Sequence, residues 1–600
     1  MSSLRTEAQL LAWYQEKIAL QTASLHQLNR RISLFSWLRL TGFSLLVAFT
    51  AVFALQESAV WLFPALVSFV TLIILIVTHQ KIYASRDRVA VLLSILQNEL
   101  SNIHGEGNFY ADGLPFAQRL PFADDLDLFG PHSLFHRLNR CTTGFGQSLL
   151  AEALISGARE NDRIVLLQEA IAELADDMPF NQEIQQLFVQ AYAARDHREP
   201  NASRENILLF NHKAYAFAVW LLPLAVMASL VTWITTASAG LFILFSTASL
   251  FTAFAQNRKM SLLSEETSGI GHSIQAYHKA LSLLKNRTNR ALVLHEMESQ
   301  ASEAIDALKE LEKIASWFDR RANVLLYLAG NMLLASDLML ALRYENWKNK
   351  HFRQMEEWLM TAGRLEMLIS LAVFRHNSPG FCTPVVAPQI QIKAEALGHP
   401  LIPAAKRVNN DLNLQLDPRI VLVTGSNMSG KSTWLRTLGL NVILAQTGTV
   451  VCAQSFSWKP MPVLSSLRQT DSLHENTSLF MQELKQLKNI LEKALQPQPC
   501  LILLDEVLRG TNSDDKYSGS EALIKRFYDC NSLVVMATHD LKLSSLEHSS
   551  GGKVTNHCFE SQITNGQLIF DYRIRPGVAV NRNATWLMQE MGIIKAVDSN

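Results

Sequence analysis

The chain lacks most marks of a secreted, disulfide-held or polyanion-coating protein. Its 600 residues include only six cysteines: Cys141, Cys382, Cys452, Cys500, Cys530 and Cys558. They are scattered and form no C-x-x-C pair, which argues against a zinc site or disulfide framework and fits buried thiols in a reducing compartment. Charge of either sign is also missing in net, since Lys plus Arg and Asp plus Glu both total 54. No global basic excess advertises nucleic-acid binding, so any DNA contact has to come from a local patch. A secretory signal is lacking as well, because residues 1–31 are polar and helix-prone. Leu4, Leu11, Ile18, Leu25 and Ile32 recur every seven residues, with Tyr14 and Leu28 between them and Glu7 and Gln21 spoiling other core positions. This predicts an amphipathic helix packed on its own protein, with a coiled-coil partner helix as the alternative.

Long apolar runs, by contrast, are abundant. Residues 36–55 and 59–78 are separated only by Gln56, Glu57 and Ser58, and a second pair covers about 214–234 and 238–254. Each run is close to the roughly 20 residues that cross a bilayer. Links this short make both pairs hairpins. Arg30, Arg31 and Arg39 precede the first hairpin, and Lys81, Arg86 and Arg88 follow it. Lys213 precedes the second, and Arg258 and Lys259 follow it, whereas the links carry no Lys or Arg. That asymmetry places both termini in the cytoplasm. A fifth run, Ala322 to Leu342, holds Asn323, Asn331 and Asp337. A mid-membrane Asp costs about 3 kcal/mol on insertion scales, so this run is expected to be a buried helix of a soluble domain.

The chemistry concentrates near the C-terminus. An apolar strand-like run, Ile420 to Thr424, leads into Gly425, Ser426, Asn427, Met428, Ser429, Gly430, Lys431, Ser432 and Thr433. Gly425 to Ser432 fit G-x-x-x-x-G-K-[ST], a loop whose backbone N–H groups and following helix N-terminus wrap phosphates. A second apolar strand, Leu501 to Leu504, ends in Asp505 and Glu506, which suit a Mg²⁺ shell and an attacking water. A third, Val534 to Thr538, delivers His539 to the same sheet edge.

These stretches resemble the MutS family of mismatch-repair ATPases, a branch of the ABC-type ATPases. The segments TGSNMSGKSTWLRTLGLNVILAQTG, LLDEVLRGTNSDD, MATHDLKLSSLE and NTSLFMQELKQLKNIL are similar to its nucleotide loop, Asp-Glu segment, His switch and signature helix. Asp125 to Leu154, MLISLAVFRHNSPGFCTP and LGHPLI resemble the core and the approach to the ATPase. The resemblance implies ATP and Mg²⁺ as cofactors. By it, Lys431 would reach the β- and γ-phosphates, Ser432 and Asp505 would hold Mg²⁺, Glu506 would activate water and His539 would sense the γ-phosphate. Ser478, opening the signature helix, would face ATP held by the partner of a homodimer. This sequence departs from the family at Ser426, where Pro is usual, and at Leu508 and Lys516, where Gly is usual or common.

The expected fold class is an α/β ATPase domain (P-loop, ABC/MutS type) plus a mainly α-helical core and lever region with four transmembrane helices. The expected order is an N-terminal helix (1–35), transmembrane hairpin 1 (36–78), a connecting segment (79–121) and a first core part (122–205). Transmembrane hairpin 2 (214–254), a helical core and lever region (263–385) and the ATPase domain (386–600) follow. No Phe-x-Glu segment of the kind with which relatives wedge a mismatch is found in residues 1–121, and Ser261 to about Ser370 leave room for two levers of about 45 residues but little for a DNA clamp. The basic cluster Arg343, Lys348, Lys350 and Arg353 reads as an exposed helix connection rather than a DNA grip. The C-terminal hairpin, with Asn565-Gly566 at its turn, is expected to add no chemistry. The leading expectation is a dimerising MutS-like ATPase in the inner (cytoplasmic) membrane, its ATPase domain facing the cytoplasm, acting on DNA. The alternatives are an ATP-driven mechanical or regulatory membrane protein acting on an unknown protein partner without DNA and, behind it, an ABC-type transporter. Four nearly loop-less spans offer a transporter no polar path.

Overall fold

The computed structural model describes residues 6–119, 122–157, 160–193, 213–255, 257, 260–261, 263, 271–321, 323–426, 428–467, 479–564, 567–580 and 593. It is mostly helical, and the strands of its two sheets fall between Val385 and Pro576.

The N-terminal part is one long antiparallel hairpin. Helix Glu7–Gln56 starts at a capping box, in which Thr6 Oγ1 accepts from Gln9 N and Thr6 N donates to Gln9 Oε1. It runs unbroken for 50 residues, about 75 Å at 1.5 Å per residue. Helix Leu62–His104 returns beside it and ends at Gly105. The expected boundaries at 35 and 78 are therefore not breaks in structure, because neither Pro nor Gly interrupts the helices there. Residues 7–35 do pack on their own chain: Leu10, Tyr14 and Leu96 form a small buried cluster. The second hairpin is helices Lys213–Thr236 and Gly240–Ala255. Three described helical segments are long and apolar enough to cross a membrane: Glu7–Gln56, Ala59–His104 and Val219–Thr236. Gly240–Ala255 is apolar but shorter.

The fifth apolar run differs from expectation. It is not a buried helix of a soluble domain but a short helix, Val324–Leu334, whose Val324, Leu325, Leu326 and Leu334 are exposed. It packs on helix Gly240–Ala255 and is bent by 85° from the helix that follows, Ser336–His376. The levers are also shorter than expected, 29 residues in Leu292–Arg320 and 41 in Ser336–His376. The basic cluster lies within the latter helix rather than at a connection. There Arg343, Lys350 and Arg353 are exposed while Lys348 is buried.

The sheet strands are β1 (Val385–Val386), β2 (Gln391–Leu397), β3 (Asn410–Gln415), β4 (Ile420–Gly425) and β5 (Ser455–Trp458). They continue as β6 (Val463–Ser466), β7 (Leu501–Asp505), β8 (Leu533–Thr538), β9 (Val554–Thr564) and β10 (Gln567–Pro576). The smaller sheet has the order β1-β5-β2-β3, and the larger has β10-β9-β4-β8-β7-β6. In the larger one every neighbouring pair is parallel except β10 on β9. Strands β4, β7 and β8 are buried along their whole length, as parallel strands covered on both faces must be. Alternate residues serve two cores. Val421, Val423, Leu503 and Val535 join the large core that includes helix Lys431–Gln446 and the helices before the sheets. Ile420, Leu422, Leu504 and Met536 join a second core with helices Leu479–Ala494 and Ser513–Arg526.

Two buried polar clusters tie the helices together. Glu99 receives both Nε and Nη2 of Arg140, at 3.0 and 2.6 Å, and the Nδ2 of Asn377 at 2.7 Å. Asn377 in turn accepts from the Tyr14 hydroxyl at 2.7 Å. Elsewhere Glu366 accepts from Thr142 N, Thr142 Oγ1 and Thr143 Oγ1. Complete burial pushes its carboxyl up to about 7.

Candidate functional site

The C-terminal edges of three buried strands deliver the site. Strand β4 ends at Gly425, the loop follows, and helix Lys431–Gln446 begins at Gly430, whose φ of 102° is left-handed. The backbone therefore favours glycine there, and a side chain would also come within 3.0 Å of Tyr572 Cδ1. Lys431, the first helical residue, is buried and donates from Nζ to the carbonyls of Gly425 and Ser426, both at 2.9 Å. Burial lowers its pKa, against the opposing pull of Asp505 and Glu506.

Strand β7 brings Asp505 against the next helical residue. Ser432 Oγ donates to Asp505 Oδ2 at 2.5 Å. The other carboxylate oxygen, Oδ1, is buried with no hydrogen-bond partner, as is the hydroxyl of Ser426. Glu506 follows with a left-handed φ of 49°, its N–H donating to Ala537 O at 3.0 Å. His539, just past β8, places Nε2 2.5 Å from Glu506 Oε1, and Arg509 Nε lies 3.3 Å from Oε2. The hydrogen bond from His539, with the charges of Arg509 and Lys431, holds the Glu506 carboxyl down at about 2. His539 Nε2 is also 3.4 Å from Lys431 Nζ.

The structure thus brings Lys431, Ser432, Asp505, Glu506 and His539 together. Ser429 steadies the loop by donating from Oγ to Ser426 O at 2.8 Å. Met428 is exposed at φ 66°, and Thr433 lines the cavity above the loop. Asn427 and Ser478 lie outside the described residues, as does the turn Asn565-Gly566. The helix after Ser478 is placed, however: Glu483 on it accepts the Leu508 N–H at 2.5 Å. Leu508 itself has a left-handed φ of 60°, which gives a backbone reason for the glycine usual at this position in the family it resembles.

Sequence reasoning missed one wall of the site. The C-terminal hairpin was expected to add no chemistry, but a register shift in β10 between Phe570 and Ile574 lays Tyr572 over Gly430. Asn410 of β3 fixes the bulge, donating to Tyr572 O at 3.0 Å and accepting from Ile574 N at 2.9 Å. Tyr572, Asn410 and Arg407 line a cavity of about 420 Å³ that opens above Lys431 and Ser432. The bulge is set by pairing across the sheet, and the only local signal is the run Phe570-Asp571-Tyr572 in a strand.

An α/β domain with this loop, two carboxylates and a histidine at one sheet edge is matched by a known family. Residues 421–592 fit the family model MutS domain V, an ATPase-type domain. Over these residues the chain is similar to the MutS family. It is 29% identical over 253 residues to the DNA mismatch repair protein MutS of Lactobacillus delbrueckii subsp. bulgaricus, a match covering 41% of this chain and 29% of that one. It is 31% identical over 260 residues to the DNA mismatch repair protein MutS of Methanosarcina mazei, covering 41% and 28%. With the MutS of Methanococcoides burtonii the figures are 32% over 235 residues, 38% and 26%. The chain thus spans less than a third of the length of these curated relatives.

Proposed function

We propose that the chain is a membrane-anchored MutS-like ATPase that binds and hydrolyses ATP with Mg²⁺ and acts in mismatch-repair-related work on DNA. The observation that carries the nucleotide reading is the orphaned Asp505 Oδ1, buried beside Ser432 and Lys431. A buried carboxylate oxygen with no donor costs desolvation energy unless a cation or donor arrives. Among the described residues no cluster of three or more His, Cys, Asp or Glu is placed to hold a metal by itself. Mg²⁺ would therefore rest on Ser432, Asp505 and the nucleotide, where it would neutralise phosphate charge.

The chain's own groups then have distinct tasks. Lys431 exchanges the carbonyls of Gly425 and Ser426 for phosphate oxygens. The N–H groups at the start of helix Lys431–Gln446 add their partial positive charge. Glu506, fully ionised at neutral pH, orients the attacking water and accepts its proton. With a pKa near 2 it is a weak base, so orientation is its larger contribution. His539 holds Glu506 in place and sits within reach of the γ-phosphate position. Ser478 serves the site of a second copy, so that ATP closes a homodimer.

A second reading has the stroke delivered to the membrane or to a protein partner there. One contact favours it: the start of the long helix, Ala335 and Leu338, packs on Val219 of the second hairpin. The membrane reading itself rests on the apolar helices and their basic flanks, with both termini on the cytoplasmic side. Among the described residues of the two hairpins Arg39 pairs with His79 across helices, but four helices joined by short links give a thin conduit, so transport is not adopted.

The test is ATP turnover by the full chain in nanodiscs. Lys431→Ala is expected to lose nucleotide binding. Glu506→Ala is expected to bind ATP and turn over at least about a hundredfold more slowly. Parent-rate hydrolysis by Glu506→Ala defeats the water assignment. DNA action is tested by binding of duplex, mismatched and branched DNA at several salt concentrations, where true phosphate contacts give a steep slope.

A further inference from the structure

Helix Val324–Leu334 is sorted inside out. Its outward side chains are aliphatic, with Leu325 78%, Val324 66% and Leu326 57% exposed. Its one strongly polar side chain within the helix, Asn331, is 0% exposed and turned inward. Every polar group of Asn331 found there is used: Nδ2 donates to Tyr327 O, and Oδ1 accepts from Ser336 Oγ and Asp337 N. Its carbonyl accepts from Ser249 Oγ of the second hairpin at 2.6 Å.

The helix ends are closed in the same fashion. Asn323 caps the first turn through Leu325 N and Leu326 N. Arg321 and Asp337, the charges flanking the run, pair with each other at 2.9 Å with side chains only 15% and 5% exposed. No charge points outward between them. In water such a surface is an unexplained apolar patch. In lipid it is the favoured arrangement, with the polar groups of Asn331 bonded inside and aliphatic groups outside.

The adjoining hairpin shows the same sorting, and the two surfaces are continuous. Ser229, Ser246 and Ser249 are buried, whereas Leu224 and Phe251 are 65% and 72% exposed. Phe254 meets Tyr327 edge-on at 6.4 Å. The short helix is about 16 Å long at 1.5 Å per residue, roughly half the 30 Å hydrocarbon thickness.

We propose that Val324–Leu334 is embedded in lipid beside the second hairpin, as a fifth membrane element too short to cross, and that it fixes the outer end of the helix Ser336–His376 to the bilayer. The proposal rests on the membrane reading above and deepens it. Asn331 and Asp337 are the residues that hold the 85° bend, since both bond across Ala335 or to Arg321. Their polarity is what made the run look soluble.

Spin labels test this in the full chain reconstituted into phosphatidylcholine–phosphatidylglycerol nanodiscs. Labels go on Leu325→Cys and Leu326→Cys, with Leu224→Cys and Leu66→Cys as hairpin references and Lys488→Cys as the aqueous one. Five native cysteines are buried and Cys382 is half-buried, and the parent chain gives their labelling background. The expected oxygen-to-nickel-chelate collision ratio at 325 and 326 matches Leu224→Cys and is roughly tenfold above Lys488→Cys, because a polar chelate is excluded from hydrocarbon. Water-like ratios at 325 and 326 with lipid-like hairpin references overturn this inference and leave the membrane reading standing. Water-like ratios at all four overturn both. Shielding of 325 and 326 from both reagents means a protein contact and also overturns the proposal.

Discussion

Two tryptophans measure the contrast between the sheet domain and the second hairpin. Trp458 on β5 is 0% exposed, and Trp220 on the hairpin is 67% exposed. In the sheet domain apolar strands are hidden and the charged face of helix Leu479–Ala494 is outside, as water demands. In the second hairpin three serines are hidden and Leu, Phe and Trp are outside. The two regions are therefore sorted in opposite senses, a contrast in which residues are hidden that average hydropathy does not show.

A matched pair of substitutions tests that contrast most severely. Leu503→Asp places a charge in the fully buried β7 and is expected to cost about 5 kcal/mol or more, abolishing nucleotide binding in detergent and lipid alike. Leu224→Asp, on the exposed hairpin face, is expected to oppose membrane insertion by about 3 kcal/mol. It should leave chemical unfolding of the detergent-purified sheet domain within about 0.5 kcal/mol of the parent. Equal damage to the sheet domain from both changes would erase the distinction between the two regions.

Next in size is the buried ion pair that joins the first hairpin to the core. Glu99→Ala strands Arg140, whose side chain is 2% exposed, and is expected to cost about 3 to 5 kcal/mol in urea unfolding. Loss of the exposed Lys525–Glu521 pair, by Lys525→Ala, is expected to leave the urea midpoint almost unchanged. A Glu99→Ala effect as small as that would mean the joint is not structural.

Glu366 sharpens the water-side rules through pH. Its carboxyl rises from 4.5 to about 7 on burial, so the folded chain holds a proton that the unfolded chain has released. Stability therefore falls as pH rises from 4.5 through 7, by about 3 kcal/mol over the whole interval. Glu366→Gln keeps a side-chain oxygen that can accept from Thr142 and carries no charge. It is expected to melt higher than the parent at pH 8, with the difference shrinking toward pH 5. A difference of the same size at both pH values refutes the assignment. At the cavity wall the expected effect is modest: Tyr572→Ala should weaken nucleotide binding by about 1 kcal/mol, or fivefold, by calorimetry. An unchanged affinity would mean that the bound nucleotide does not touch Tyr572.

Much of the sheet domain was legible because its signals are local. Strands β4, β7 and β8 announced themselves as apolar runs, and each ended at a residue that the structure brings to the site. The hairpins were equally plain from apolar length and basic flanks. Three features were not legible, for different reasons. The continuity of helix Glu7–Gln56 is invisible in a change of composition at 35, since polarity changes without any residue that breaks a helix. The sidedness of Val324–Leu334 depends on which way Asn331 and Asp337 turn, and a sequence gives their presence but not their partners. Tyr572 reaches the site through a bulge pinned by Asn410, 162 positions away in sequence, and no strand pattern contains that register.

The buried link from Tyr14 through Asn377 and Glu99 to Arg140 also constrains how the chain is made. Tyr14 and its partner are 363 positions apart, so at 5 to 20 residues per second a ribosome takes about 20 to 70 s to supply the second after the first. Throughout that interval the foot of the first hairpin is incomplete. Glu99 gains Arg140 early, only 41 residues on, but Tyr14 has no Asn377 to receive its hydroxyl until the end of the long helix has been synthesised. Final closure of the N-terminal hairpin against the core is thus a late step of biogenesis. A nascent chain stalled before residue 377 presents a hairpin that has Arg140 but is not yet locked by Asn377.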